Sequence, residues 1–189
     1  MNNYFKILAP ITLFFLIISF WEIILYLNNT PNYILPKPSI ILKTLVYEWD
    51  SLLPALITTS YVTILALIFA VVLGVFFAII ISQFKIIEIS VMPYTIVLQV
   101  TPIIAIAPLI IIFVDNTFHA ALICAWLVAF FPILSSTLIG LKSVDHGLND
   151  LFKLYRSSRI QKLFLLQLPS ALPYFLSGFK ISAGLSLIG

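Results

Sequence analysis

Residues 55–81 read ALITTSYVTILALIFAVVLGVFFAIII, with no charged side chain and no proline from end to end. In hydrocarbon such a run satisfies its backbone N–H and C=O groups by closing them on itself, which a helix does and an open strand does not. At 1.5 Å per residue, about 20 helical residues cross a core roughly 30 Å thick, so this stretch spans with length to spare. Comparable runs cover 7–27, 91–114 and 120–141, and a fifth covers 174–189. Across the 189 residues 62% are hydrophobic and 9% charged, and the mean hydropathy is +1.16. A soluble domain carries about 25% charged residues, so a soluble reading is excluded. The expectation is an all-α, polytopic transmembrane helical bundle forming one domain over 1–189.

The same composition excludes other classes. The net charge is +3 with ten Lys and Arg, but no basic patch with interleaved aromatics points to nucleic acid. Cys124, the lone cysteine, lies inside an apolar run, so neither a disulfide nor a thiolate metal site is available. The run at 7–27 is longer than the core of a cleaved signal and ends in Tyr26-Leu27-Asn28-Asn29 without a small-residue cleavage site. It reads as a retained span. The run at 174–189 ends without flanking charge, and the sequence suggests truncation there.

Positive charge orients the bundle, because Lys and Arg are retained in the cytoplasm. With the N-terminus inside, Lys6, Lys85, Lys142, Lys153, Arg156, Arg159 and Lys162 fall inside and only Lys37 and Lys43 outside. The short 115–119 segment has no Lys or Arg, as an outer turn requires.

Two non-spanning segments carry information. In 28–54, Leu35-Pro36-Lys37-Pro38 sets an extended entry before Ser39, which is expected to cap a helix with Ile41, Leu42, Leu45, Val46 and Trp49 on one side. That pattern fits a helix lying in the outer lipid interface. In 142–172, Leu148, Leu151, Phe152 and Tyr155 recur at i, i+3, i+4, i+7, one apolar helical face. Ser157-Ser158 breaks the pattern and can cap a second short helix ending at Leu168-Pro169. The stripe needs a surface, either the membrane and the protein's own spans or a groove on a soluble partner.

The ordered set of short motifs resembles a known family. The pieces are Leu35-Pro36-Lys37-Pro38, Pro93 through Gln99, Thr101-Pro102, Ala105 and Pro108-Leu109. Phe130-Phe131-Pro132-Ile133, the stretch 168–173, Gly178-Phe179-Lys180 and Ala183-Gly184 follow. The chain is similar to the permease subunits of bacterial ABC importers, in the branch handling sulfonates, taurine, nitrate and pyrimidine-type vitamin precursors. The resemblance implies a type I importer transmembrane domain in the bacterial inner membrane, working as a dimer. It also implies partners: a cytoplasmic ABC ATPase, which holds ATP and Mg, and an external solute-binding protein. In that family a Glu-Ala-Ala motif followed by glycine and later Leu-Pro forms the helix that docks on the ATPase. Here Asp150, Leu151 and Phe152 stand on the Glu-Ala-Ala positions, Arg156 on the glycine and Leu168-Pro169 on the Leu-Pro, with Tyr155 on the same helix face. Arginine at a left-handed glycine position costs on the order of 1 kcal/mol. The competing expectation is a shortened, degenerate permease acting as a membrane scaffold.

Individual residues complete the picture. Pro102, Pro108 and Pro132 fall inside spans and can kink them, and Gln99, Thr101 and Pro102 form the candidate translocation cluster. Glu22 is expected near the outer boundary and Asp115 at a helix end. Gly74, Gly178 and Gly184 are expected at close helix contacts. His119 and His146 fall on opposite sides of the membrane and cannot share a metal. No phosphate-binding loop or catalytic constellation is present, so any ATP hydrolysis belongs to another chain.

Overall fold

The computed structural model describes residues 3–189, which are helices and connecting turns with no strand among them. They divide into two compact units, 1–57 and 58–189. Among the described residues three helices are long and apolar enough to cross a membrane, Phe5–Leu27, Trp49–Gln83 and Thr117–Lys142.

In the first unit α1 (Asn3–Leu27) ends in a left-handed turn at Asn29, φ 48°. The Thr30 amide donates to Leu25 O and the Asn29 amide to Tyr26 O, which satisfies carbonyls that a helix end leaves orphaned. Helix α2 (Pro38–Tyr47) opens with proline in its first turn, where a missing amide costs nothing. Ser39 is not its cap: Lys37 holds that position without a side-chain bond. The Ser39 amide and hydroxyl instead donate to the Glu22 carboxylate at 3.0 and 2.7 Å. A carboxylate near the first turn of a helix also meets its positive dipole end, so Glu22 ties α1 to α2. Trp49 begins the next helix, α3 (Trp49–Gln83), rather than extending the α2 face.

The second unit is organised by small residues. Ala66, Ala70, Gly74 and Ala78 recur every fourth residue on α3 and are buried, a row that lets two backbones approach. Ala66 packs with Ala125, and Ala70 with Ala129 and Ile133, all on α6 (Thr117–Lys142). A β-carbon on Gly74 would lie 2.9 Å from Ile133 Cγ2. Only the glycine of this row stood out in the sequence, because alanine at helical spacing is common in any apolar run.

The expected single span at 91–114 is two helices, α4 (Lys85–Val100) and α5 (Ile103–Phe113). The two are bent by 99°. Pro102 cannot donate to Leu98 O, and it steers the preceding residue out of helical conformation: Thr101 sits at φ −72°, ψ 123°.

The polar stretch after α6 also differs from expectation. Helix α7 (His146–Leu154) and α8 (Arg159–Lys162) are short and joined by a turn, with Ser158 and Gln161 forming a capping box. The second helix does not end at Leu168-Pro169. A single π-helical turn, Leu163–Gln167, carries it into α9 (Leu168–Leu185), with the Leu168 amide donating to Leu163 O. The wider turn accommodates Pro169, whose ring would otherwise clash with the carbonyl one α-turn back. The helix expected at 174 thus starts at Leu168, and it is not among those long and apolar enough to span.

Helix α9 lies along α6. A β-carbon on Gly178 would lie 2.7 Å from Ser136 Cβ and 2.8 Å from Pro132 O, and one on Gly140 2.8 Å from Ala171 Cα. The buried Ser182 hydroxyl donates to Ala129 O at 2.6 Å. Gly184, in contrast, has nothing within 4 Å of its would-be β-carbon and makes no close contact.

Candidate functional site

The break between α4 and α5 opens a cleft of about 500 Å³. Leu98, Gln99 and Thr101 reach it from the end of α4, Ile106 from α5, and Ile181 from α9. Phe131, Ser135 and Ser136 come from α6, together with Val128 and Pro132. The Ser135 hydroxyl donates to Gln99 Oε1 at 3.2 Å, joining α4 to α6 across the cleft. Thr101 spends its hydroxyl proton on Val97 O at 2.6 Å. Of the candidate cluster, Gln99 and Thr101 line the cleft; Pro102 does not, and instead occupies the N-cap position of α5. Ser135 and Ser136 had a legible signal, a polar pair inside an apolar run, that the sequence reading passed over.

The loop residues form a separate constellation. Asp145 caps α7, accepting from the Gly147 and Leu148 amides at 2.8 and 3.1 Å. On α7, Leu148, Leu151 and Leu154 are exposed, with Tyr155 78% exposed just beyond, while Phe152 is half-buried. Asp150 points to solvent and accepts from Lys153 Nζ at 2.8 Å. That hydrogen bond and the ammonium charge hold its carboxyl below the usual carboxylate range. Arg156 adopts φ 50°. The Ser157 amide reaches back to Phe152 O and the Arg156 amide to Lys153 O, the bond pair of a helix end closed by a left-handed residue. The arginine therefore stands in a backbone conformation that favours glycine.

A polar network ties the loop to the bundle. In the π turn, Gln167 Oε1 accepts from Gln83 Nε2 at 3.1 Å, and Gln167 Nε2 reaches Leu141 O at 3.4 Å. Glu88 on α4 pairs with Lys142 at the end of α6, and more loosely with Lys85 at 3.6 Å. Gln83 and Gln167 are far apart in the chain, and no local pattern announces their pairing. Asp115 is exposed between α5 and α6, where Asn116 caps α6 by accepting from the Phe118 amide.

Likeness to known proteins identifies the family. Residues 70–189 match the family model described as binding-protein-dependent transport system inner membrane component. A probable ABC transporter permease of Haemophilus influenzae is 26% identical over 97% of this chain and 75% of its own length. The formylaminopyrimidine transport permease ThiX of Halalkalibacterium halodurans is 28% identical over 100% of this chain and 76% of its own. The riboflavin transport permease RibX of Chloroflexus aurantiacus is 30% identical over 95% and 68%. The crystal structure of an amino acid ABC transporter with histidines superposes with a TM-score of 0.57 at 20% identity, over 76% of this chain and 75% of that one, and shares the fold. With its all-α bundle, its broken α4–α5 pair and this family match, the chain is a multi-pass inner-membrane component of a binding-protein-dependent ABC importer, a permease subunit of the branch to which these relatives belong.

Proposed function

We propose that this permease couples ATP hydrolysis on a separate cytoplasmic ABC ATPase to import of a small solute, of the sulfonate, taurine, nitrate or vitamin-precursor kind. The observation that carries the coupling half is α7: its Leu148, Leu151 and Leu154, with Tyr155, stay exposed on a short, well-capped helix. An apolar helical face of this kind fits a groove on a partner. In this reading Asp150, Leu151, Phe152, Tyr155 and Arg156 make the dock. Leu168 and Pro169, at the π joint, begin the helix that carries the movement into the bundle.

The solute half rests on the cleft. Gln99 and Thr101 line it, and Pro102 sets the bend that opens it. Broken helices with freed backbone groups are suited to line a path through a membrane. The working assembly is a homodimer in lipid with two ATPases and an external solute-binding protein. The N-terminus and the 142–172 segment face the cytoplasm, and ATP and Mg are held by the ATPase.

The test is purification from native membranes through an N-terminal tag, followed by mass spectrometry. An ABC ATPase in near-equal amount is expected. In Asp150→Lys and Leu151→Pro variants the ATPase should be lost while membrane insertion persists. Full retention of the ATPase in both would refute the dock.

A further inference from the structure

Lys180 stands at a depth where a lysine needs a reason to be. Helix α9 packs along α6, which is long and apolar enough to cross a membrane, and the contacts between them set the level of each residue. The Ser182 hydroxyl meets Ala129 O at the middle of α6, and Gly178 packs against Pro132 and Ser136. Lys180 lies between these two contacts, roughly 15 Å from the nearer end of α6 at 1.5 Å per residue. The four-carbon stem of a lysine does not cover that distance, so its ammonium cannot snorkel to either surface. Nor does protein neutralise it. Lys180 is exposed and makes no ion pair or hydrogen bond among the described residues, where the ion pairs use Lys85, Lys142 and Lys153. The chain's seven Asp and Glu all lie in loops or within two turns of a helix end, so a second copy in the same membrane brings no carboxylate to that depth.

At about 100° per residue, α9 has three sides. Ala171, Gly178 and Ser182 are buried against α6. Leu172, Leu176 and Phe179 form an exposed apolar side suited to lipid. The third side carries Ser177, Lys180 and Gly184, all exposed. There the Ser177 hydroxyl turns back to Pro173 O, and nothing lies within 4 Å of a β-carbon on Gly184. This side adjoins Ile181 and Leu185, which line the cleft. A cation is expensive in hydrocarbon and, where it occurs, faces either the bundle interior or a water-filled cavity. Exposure excludes the first. We infer that Lys180 is a fixed positive charge on the water-filled wall of the translocation path, where it turns inorganic cations back while the path is open to solute. The inference rests on the reading that the cleft lies on that path. A charge held on a low-dielectric wall repels like charge along the pore, and excluding sodium and protons keeps the membrane potential from draining through an open importer.

The experiment uses the whole importer in liposomes and a trimethylammonium-ethyl thiosulfonate supplied on both faces. This reagent does not cross the membrane and leaves a positive charge on any thiol it reaches. Cys124, the chain's own thiol, is buried, so wild type gives the background. Lys180→Cys should be modified, read as a mass shift of this chain, and Leu176→Cys on the apolar side should not. Before modification, Lys180→Cys and Lys180→Gln should raise sodium leak during ATP turnover about tenfold. Lys180→Arg should leave the leak as in wild type, and modifying the Lys180→Cys importer should bring it back to that level. Labelling at 180 no stronger than at 176 overturns the inference, and so does a leak that neither Lys180→Gln nor Lys180→Cys changes. Gln99→Cys separates the inference from the reading beneath it. Label at 99 and none at 180 leaves the cleft on a wet path and removes Lys180 from it. Label at neither position removes the path reading, and the inference falls with it.

Discussion

The seam between α6 and α9 and the exposed face of α7 are both built from the apolar vocabulary of this chain, yet they are finished in opposite ways. Along the seam, glycines at 140 and 178 let backbones meet, and Ala129, Ile133 and Ser182 are wholly buried. On α7, leucines stand exposed on a helix capped at both ends. Close packing with no room for a methyl group marks a surface already satisfied; the unburied leucines of a short, capped helix are a face that, in the proposed reading, the ATPase covers. Burial, rather than hydrophobicity, separates the part that holds the fold from the face proposed to dock.

The largest effect should come from breaking the seam. Gly178→Leu would drive a side chain into Ser136 and the Pro132 carbonyl. Overpacking of this kind costs about 1–3 kcal/mol or more, so thermal unfolding in detergent should shift down sharply and uptake should vanish with it. An unchanged melting temperature would mean that the seam opens readily and does not hold the fold. Leu151→Asp should do the reverse. Its side chain is already 44% exposed, so the melting temperature should hold while uptake falls about tenfold through loss of a docking contact. A matching loss of stability would show that α7 packs on its own bundle.

Gln167 lies between the two regions and sharpens the contrast. Gln167→Leu removes the bonds to Gln83 and to Leu141 O. With a half-buried Gln83 and a buried Leu141 losing that partner, the cost should be about 1 kcal/mol. Because the π turn joins α8 to α9, uptake should fall further than stability does. Equal losses would make the glutamine a packing residue and nothing more.

Much of this fold could be read from sequence. The absence of charge over 55–81, the Ser158 cap and the apolar stripe of α7 are local patterns, and each rests on neighbours within one or two turns. What escaped was set by contacts distant in the chain or by backbone freedom. Thr101-Pro102 reads equally well as a gentle kink in one span and as the 99° break observed, because proline removes one bond in either case. Leu168-Pro169 looks like a helix end until a π turn absorbs the proline. Ser39 has the chemistry of a cap, but it falls inside the first turn of α2 with Lys37 at the cap position, and its hydroxyl donates to Glu22. In the cleft, Gln99 and Thr101 stood out as polar groups in an apolar run, whereas the part played by Ser135 depends on α4 and α6 meeting across 36 residues of chain.

Two turns built alike give the finer test. Asn29 closes α1 and Arg156 closes α7 in the same left-handed conformation, φ 48° and 50°. Asparagine tolerates that region; arginine does so at a cost. Arg156→Gly should therefore stabilise the α7 end by about 1 kcal/mol, read as slower amide exchange at Arg156 and Ser157. If exchange slows and ATPase binding is kept, the arginine is only a tolerated misfit. Slower exchange with a loss of ATPase would mean that the guanidinium itself is part of the dock, and that the strain persists because the contact needs it.

The smallest effect should be that of Asp150. Its carboxyl is held below the ordinary value of 3.8 chiefly by the hydrogen bond from Lys153. A depressed carboxylate contributes stability above its unfolded pKa and loses it as pH falls through the folded one. From pH 8 to 5, then, the pair is fully charged and α7 should not change. Because Asp150 is solvent-exposed, an isolated pair of this kind is nearly neutral for stability. Asp150→Asn should accordingly leave the melting temperature alone at neutral pH, and wild type and variant should stay together as the pH falls through the carboxyl's titration. If Asp150→Asn nevertheless weakens ATPase capture at pH 7, the charge serves the partner and not the helix. If it moves neither, the pair is ornamental, and the dock rests on Leu148, Leu151 and Leu154 alone.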